Sequence, residues 1–147
     1  MAGLELIANS GTQSLAADTA ETVLQLTTAT NHRAKIKGFS ITLSGTAAKD
    51  LIVRVLRQSS AGTSGTSVTP TKLDNAAAET IQTSAATNFS AEPTAGDVLQ
   101  YKRIQSGYEK AFPLGQEFLV QGSARIAIEV TSVGATASVA AEFFFEE

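Results

Sequence analysis

Few residues in this chain are equipped for chemistry, and their spacing keeps them apart. His32 is the single histidine and lies in a turn-like stretch, Thr30-Asn31-His32. A histidine working as a general base needs an orienting partner and a nucleophile beside it. Nothing nearby in the sequence supplies either, so His32 reads as an exposed turn residue. The run Gly62-Thr63-Ser64-Gly65-Thr66-Ser67 has the glycines of a phosphate cradle. It lacks the lysine of a P-loop and lies between β-type segments rather than opening a helix, which makes it a surface loop. Asp74, Glu79, Glu92 and Asp97 lack the spacing of a calcium loop. Glu142, Glu146 and Glu147 read as solubilising charge.

Composition closes off further chemistry. There is no cysteine, which excludes disulfides, thiolate metal sites and thiol nucleophiles. One histidine excludes sites that need two in a single chain. No catalytic, cofactor-binding or metal-ligating residue is assigned, and the expectation is a protein that is not an enzyme and carries no cofactor. The formal net charge is -3, so no basic excess points to nucleic acid or to an anionic membrane. No apolar run is long enough to span a bilayer. The first ten residues lack the cationic start and apolar stretch of a signal peptide, so synthesis in a cytoplasm is expected. Tryptophan is absent and only Tyr101 and Tyr108 supply tyrosine rings, which weighs against a carbohydrate module built on stacking aromatics.

One charged motif stands out. Arg33, Lys35 and Lys37 alternate along one strand and form a basic stripe. Such a stripe either contacts an acidic protein partner or is a solvated face that discourages edge pairing.

The elements that must carry these residues are strands. Alternation of apolar and polar residues, the mark of a half-buried strand, runs through Glu21–Thr28, Leu51–Gln58, Asp97–Ile104, Glu117–Gln121, Arg125–Thr131 and Thr136–Phe145. In Arg33–Ser44 the apolar positions change parity at Lys37-Gly38: Ala34 and Ile36 are even, Phe39, Ile41 and Leu43 odd. One extra residue in a strand does this, so the pattern predicts a bulge there or a bend between two strands. Thr80–Ser90 is weakly strand-like. Gly45–Asp50 is a turn, Ser59–Pro70 a loop, Asp74–Glu79 a loop or one helical turn, and Gly107–Gly115 an ordered loop. About eight strands without a long amphipathic helix predict an all-β, jelly-roll-like antiparallel sandwich over residues 21–147. Residues 1–20 predict an extended N-terminal arm, ordered where it docks; removal of residues 1–15 is expected to leave the fold intact and to weaken docking. Ala, Thr, Ser and Gly account for 67 of the 147 residues. A surface of such small side chains loses little conformational entropy when covered by a partner.

Residues 33–147 also carry a resemblance. The segments FSITLSGTAAKDLIVRVLRQSSAGTSGTSVTPTKLD, SAEPTAGDVL, KAFPLGQEFLVQGSARIAIEV and AEFFFEE resemble small jelly-roll head decoration, or cement, proteins of tailed bacteriophages. The resemblance implies a virion protein on the capsid surface. Such a protein binds the major capsid protein where shell subunits meet and assembles as a homotrimer or a dimer. It implies partner contacts through Leu4, Leu6 and Ile7 of the arm and through a loop shaped by Phe112 and Pro113. The alternative is a receptor- or glycan-binding module of a phage tail or fibre.

Overall fold

The computed structural model describes residues 3–45 and 49–147. The turn expected over Gly45–Asp50 therefore falls partly outside the described residues. Thirteen strands form two antiparallel sheets, with no helix among the described residues. In chain order they are β1 (Glu5–Asn9), β2 (Gln13–Leu15), β3 (Ala20–Thr27), β4 (Ala34–Leu43), β5 (Leu51–Gln58), β6 (Thr66–Val68) and β7 (Thr71–Lys72). There follow β8 (Ser84–Thr87), β9 (Ala95–Ile104), β10 (Tyr108–Ala111), β11 (Phe118–Val120), β12 (Arg125–Ser132) and β13 (Ala137–Glu146).

The pairing reduces these strands to eight positions. β1 and β2 follow one another along β13, and β10 and β11 follow one another along β4. β3 pairs with β12 and β5 with β9. The four pairings are nested, first with last and innermost with innermost. One sheet runs β10/β11-β4-β13-β1/β2 and the other β3-β12-β5-β9. A nested ladder folded over into two facing sheets is a jelly roll. Residues 59–94, between β5 and β9, are an insertion in this scheme. β8 adds to the free edge of β3, β6 to β8, and β7 to β1. The insertion thus straps one side of the sandwich, while β9, β10 and β11 remain edge strands on the other.

Alternation explains what lies between the sheets. Leu51, Val53 and Val55 of β5 face Ile36, Phe39, Ile41, Phe143 and Phe145 from the opposite sheet, all buried in one core. The parity change of β4 is a β-bulge within a single strand. Phe144 lies opposite Gly38 and Phe145 opposite Ile36, so Lys37 is the extra residue. Gly38 is required by crowding, since a Cβ there would lie 2.7 Å from the carbonyl oxygen of Lys110. That contact arises because Gly107–Gly115 is not a loop throughout: Tyr108–Ala111 adopt strand geometry by pairing with the exposed edge of β4. Asp74–Glu79 form turns rather than a helix.

The N-terminal segment is extended, and it docks on its own chain. β1 pairs with β13 on one side and β7 on the other, and Leu4, Leu6, Ala8 and Leu15 join the core. Leu4 N–H donates to the Glu147 carbonyl at 2.9 Å, and Glu147 N–H to that of Leu4 at 3.1 Å.

Candidate functional site

The two outer faces of the sandwich differ in cover. On the β3-β12-β5 sheet, the residues opposite the core, Thr22, Gln25, Gln58, Ala127 and Glu129, are themselves buried. Arg125–Thr131 alternates as the sequence predicts, yet its outward residues Ala127 and Glu129 are sealed. The insertion provides the roof. Gln25 Nε2 donates to Gln58 Oε1 (2.6 Å) and to the Ser60 carbonyl (3.2 Å), and Gln58 Nε2 donates to Thr22 Oγ1 (2.9 Å). Glu92, at the far end of the insertion, accepts from Thr22 N–H at 2.8 Å. Arg54 donates to the buried Glu129 carboxylate. Every buried polar group named here therefore has a partner, which is what keeps such burial tolerable.

The glycine loop belongs to this roof. Cβ atoms at Gly62 and Gly65 would lie 2.8 and 2.6 Å from the ring of Phe89. The glycines are there so that the chain can pass over an aromatic ring, not so that it can wrap a phosphate.

The face of the β4-β13-β1 sheet is open and carries the basic stripe. Alternation about the inward Ile36 sets Lys37 beside Lys35 on this face, where Glu5 of β1 and Glu146 of β13 stand directly opposite one another. Two like charges in that position repel, and Lys37 resolves the repulsion. It pairs with Glu5 and, at 2.7 Å, with Glu146; Lys35 lies 3.9 Å from Glu146. Hydrogen bonds to Glu146 and Glu5 raise the Lys37 pKa, and the bond from Lys37 lowers that of Glu146. Two members of the stripe are thus matched by acids of the same chain. Arg33 is exposed just before β4.

The partner contacts expected of the arm need correction. Leu4 and Leu6 are buried because alternation along β1 turns them into the core. Ile7 faces the other way, half-buried on the open face opposite Phe144. Phe112 is half-buried too. Its ring lies 4.5 Å from that of Phe118 and 6.1 Å from that of Phe39, and its N–H donates to the Lys37 carbonyl at 2.7 Å. It clamps the base of the β10–β11 loop. Pro113 is exposed next to it, and the tip is Leu114, 91% exposed. Leu114 is an exposed apolar residue not singled out above, although its setting in FPLGQ, before a glycine, marks a turn apex. Val98, Tyr101 and Leu119 are also exposed, and all lie on the edge strands β9 and β11. Alternation over Asp97–Ile104 predicts Val98 on one face and Leu99 and Tyr101 on the other; the irregularity of the β5 pairing between Val55 and Leu56 turns both Val98 and Tyr101 outward.

Among the described residues, no side-chain hydrogen bond joins His32 to an acid, although Glu79 and Glu147 share a pocket with it. His32 is exposed, its N–H bonded to the Ala29 carbonyl at 3.1 Å. It borders a shallow pocket of about 300 Å³ with Gly3, Glu79 and Glu147. Asp74 caps its own turn through Ala76 N–H, and Glu147 accepts from Gln82 and Thr83 N–H groups at 2.7 Å each. Among the described residues, no three of His, Asp or Glu are placed to hold a metal ion.

The fold is a jelly-roll-like β-sandwich. No protein-family model matches the sequence, and no curated protein resembles it significantly. Among solved structures, the crystal structure of the Yersinia pseudotuberculosis-derived mitogen (YPM) is similar over 93% of this chain and 83% of its own. The TM-score is 0.44 and the identity 8%. A likeness at that level says nothing about what this chain binds.

Proposed function

We propose that this chain is a virion structural protein, a decoration or cement protein on the outside of a tailed-phage head. It binds the major capsid protein at subunit junctions as a small homo-oligomer and stabilises the shell. The observation that carries this reading is the one-sided closure of the sandwich. The insertion closes one flank with the short strands β6 and β7 and one exposed leucine, Leu73, while the other flank ends in β9 and in β10 and β11, with Val98, Tyr101, Leu114 and Leu119 at the surface. That arrangement suits a rigid block that is joined to something along one side. Many modest contacts of this kind act together on a repetitive scaffold through avidity and linkage.

The test is co-sedimentation of the purified chain with phage heads that lack it. The expected result is saturation at a fixed ratio to the major capsid protein and higher resistance of the shell to heat. Free protein at saturating concentration with unchanged shells would remove the proposal. Tyr101, 57% exposed, favours the alternative of a glycan-binding tail or fibre module. Saturable hits on a glycan array, lost in Tyr101→Ala, would establish that reading instead.

A further inference from the structure

We propose that the free edge of β9 joins a second copy of this chain across a two-fold axis, making one continuous sheet through both copies. β9 runs ten residues, whereas the other strands at sheet margins, β6, β7, β10 and β11, run three, two, four and three. Its outer main-chain groups face no strand among the described residues, because the sheet ends there. A long row of unpaired N–H and C=O groups is a template for another strand.

The side chains select the strand and its register. Antiparallel copies related by an axis between Leu99 and Gln100 set Val98 against Tyr101 of the second copy, and Asp97 against Lys102 of the second copy. Both matches respect the faces of the strand. Val98 and Tyr101 stand beside Leu56 and Arg54 of β5, on the outer face; Lys102 stands beside Val53, on the inner. A further irregularity of the β5 pairing, between Leu56 and Gln58, sets Gly96 and Asp97 together against Arg57, whose side chain reaches the Leu119 carbonyl of the opposite sheet, so Asp97 shares the inner face with Lys102. The irregularity in the β5 pairing leaves Leu99 as the extra residue of β9, so it lies at the axis and disturbs neither match. Moving the axis onto Gln100 would set Val98 against Lys102, on opposite faces. Val98 is 45% exposed in the single chain, and pairing with Tyr101 covers both. Among the described residues neither Asp97 nor Lys102 has an ion partner within the chain. Two-fold symmetry repeats each contact, so two apolar pairs and two ion pairs accompany the main-chain bonds.

The test is the mass of the full chain in solution, by light scattering and native mass spectrometry, and it does not depend on the shell reading. The expected species is a dimer, twice the 15.2 kDa of one chain. Asp97→Lys turns both attractions into repulsions and is expected to weaken the dimer about tenfold. The exchange Asp97→Lys with Lys102→Asp restores the match and is expected to return affinity to within about threefold of the parent. Val98→Lys weakens the dimer without rescue by that exchange. Thermal melting of each variant verifies the fold. A monomer at about 200 μM, a trimer, or a dimer indifferent to Asp97→Lys or unrescued by the exchange would overturn the proposal. Binding to shells is scored separately, so either proposal can fail alone.

Discussion

The two outer faces of the sandwich solve the same problem in different ways. Beneath the insertion, polar side chains are sealed from water, and Thr22, Gln25, Gln58 and Glu129 find partners inside the protein, whereas Thr83 Oγ1 and Arg125 Nε are buried without one. On the open β4-β13-β1 face, a row of unlike charges is balanced while solvent reaches it. The cations are exposed to a similar degree, 32% for Arg54 and 35% for Lys37, but the carboxylates differ: 8% for Glu129 under the roof and 23% for Glu146 on the open face. The lesson is that the same type of contact, a lysine or arginine on a glutamate, has different weight on the two faces. Breaking a sealed pair strands a charge, whereas a solvated pair is screened and each partner falls back on water.

Substitutions can break or sharpen this contrast. The largest effect tests whether the open sheet depends on its N-terminal strand. Leu6→Ala is expected to lower unfolding free energy by about 3 kcal/mol in urea titration, a usual loss for a fully buried leucine. Deleting residues 1–9 is expected to abolish cooperative unfolding, because it removes β1 and bares the core beside β13. An intact cooperative fold after that deletion would return the segment to the status of a detachable arm. Under the roof, Arg54→Ala leaves the Glu129 carboxylate buried without its cation and is expected to cost about 2 kcal/mol, reduced from the fully buried case because Arg54 is partly open. The double variant with Glu129→Ala should lose less than the sum of its parts. Gln58→Ala is expected to cost about 1.5 kcal/mol through the donor and acceptor it orphans on Gln25 and Thr22.

On the open face the effects shrink. Lys37→Ala is expected to cost less than about 1 kcal/mol and to weaken further in high salt. If it matched Arg54→Ala, the contrast between the faces would fall. The smallest effect is in acid. The folded pKa of Glu146 lies below its unfolded value, so its contribution is complete above the normal carboxylate pKa, 4.5, and disappears as pH falls through the lowered folded value. Lys37 has the opposite sign: its contribution is complete below the normal lysine pKa, 10.5, and disappears as pH rises through the raised folded value. Glu146→Gln should therefore lower stability slightly at neutral pH, where the contribution is complete, and leave strong acid nearly unchanged, which flattens the acid limb of a stability–pH curve.

What the sequence made legible follows the same division. The bulge at Lys37 could be read because it moves large residues, Ile36 and Phe39, from one parity to the other. β5, β12 and β13 were equally plain as strands, since their inward residues are branched or aromatic; but β12 and β13, though joined by a tight turn, lie in opposite sheets and do not pair as a hairpin. β1 was harder. Leu4, Leu6 and Ala8 do alternate, but the strand is only five residues long and set among small residues, so its apolar face resembled an island on a loose arm. The roof was invisible. Gln25, Gln58 and Glu129 are polar at positions where a solvated face would also be polar, and only the path of residues 59–94 distinguishes the two. The acids that balance Lys35 and Lys37 are 32 and more than 100 residues away in the chain, beyond any local pattern.

Nested pairing also has a mechanical consequence. Leu4 and Glu147 exchange backbone hydrogen bonds, so both ends of the described chain emerge at one pole, on neighbouring antiparallel strands. Tension applied between them would load the β1–β13 ladder rung by rung, as a zipper is opened, instead of straining all its bonds at once. Tension across the sheets has no such weak line, because it must part the whole interior together. A block of this design is expected to bear load through its flanks and faces and to yield easily when drawn out by its tips.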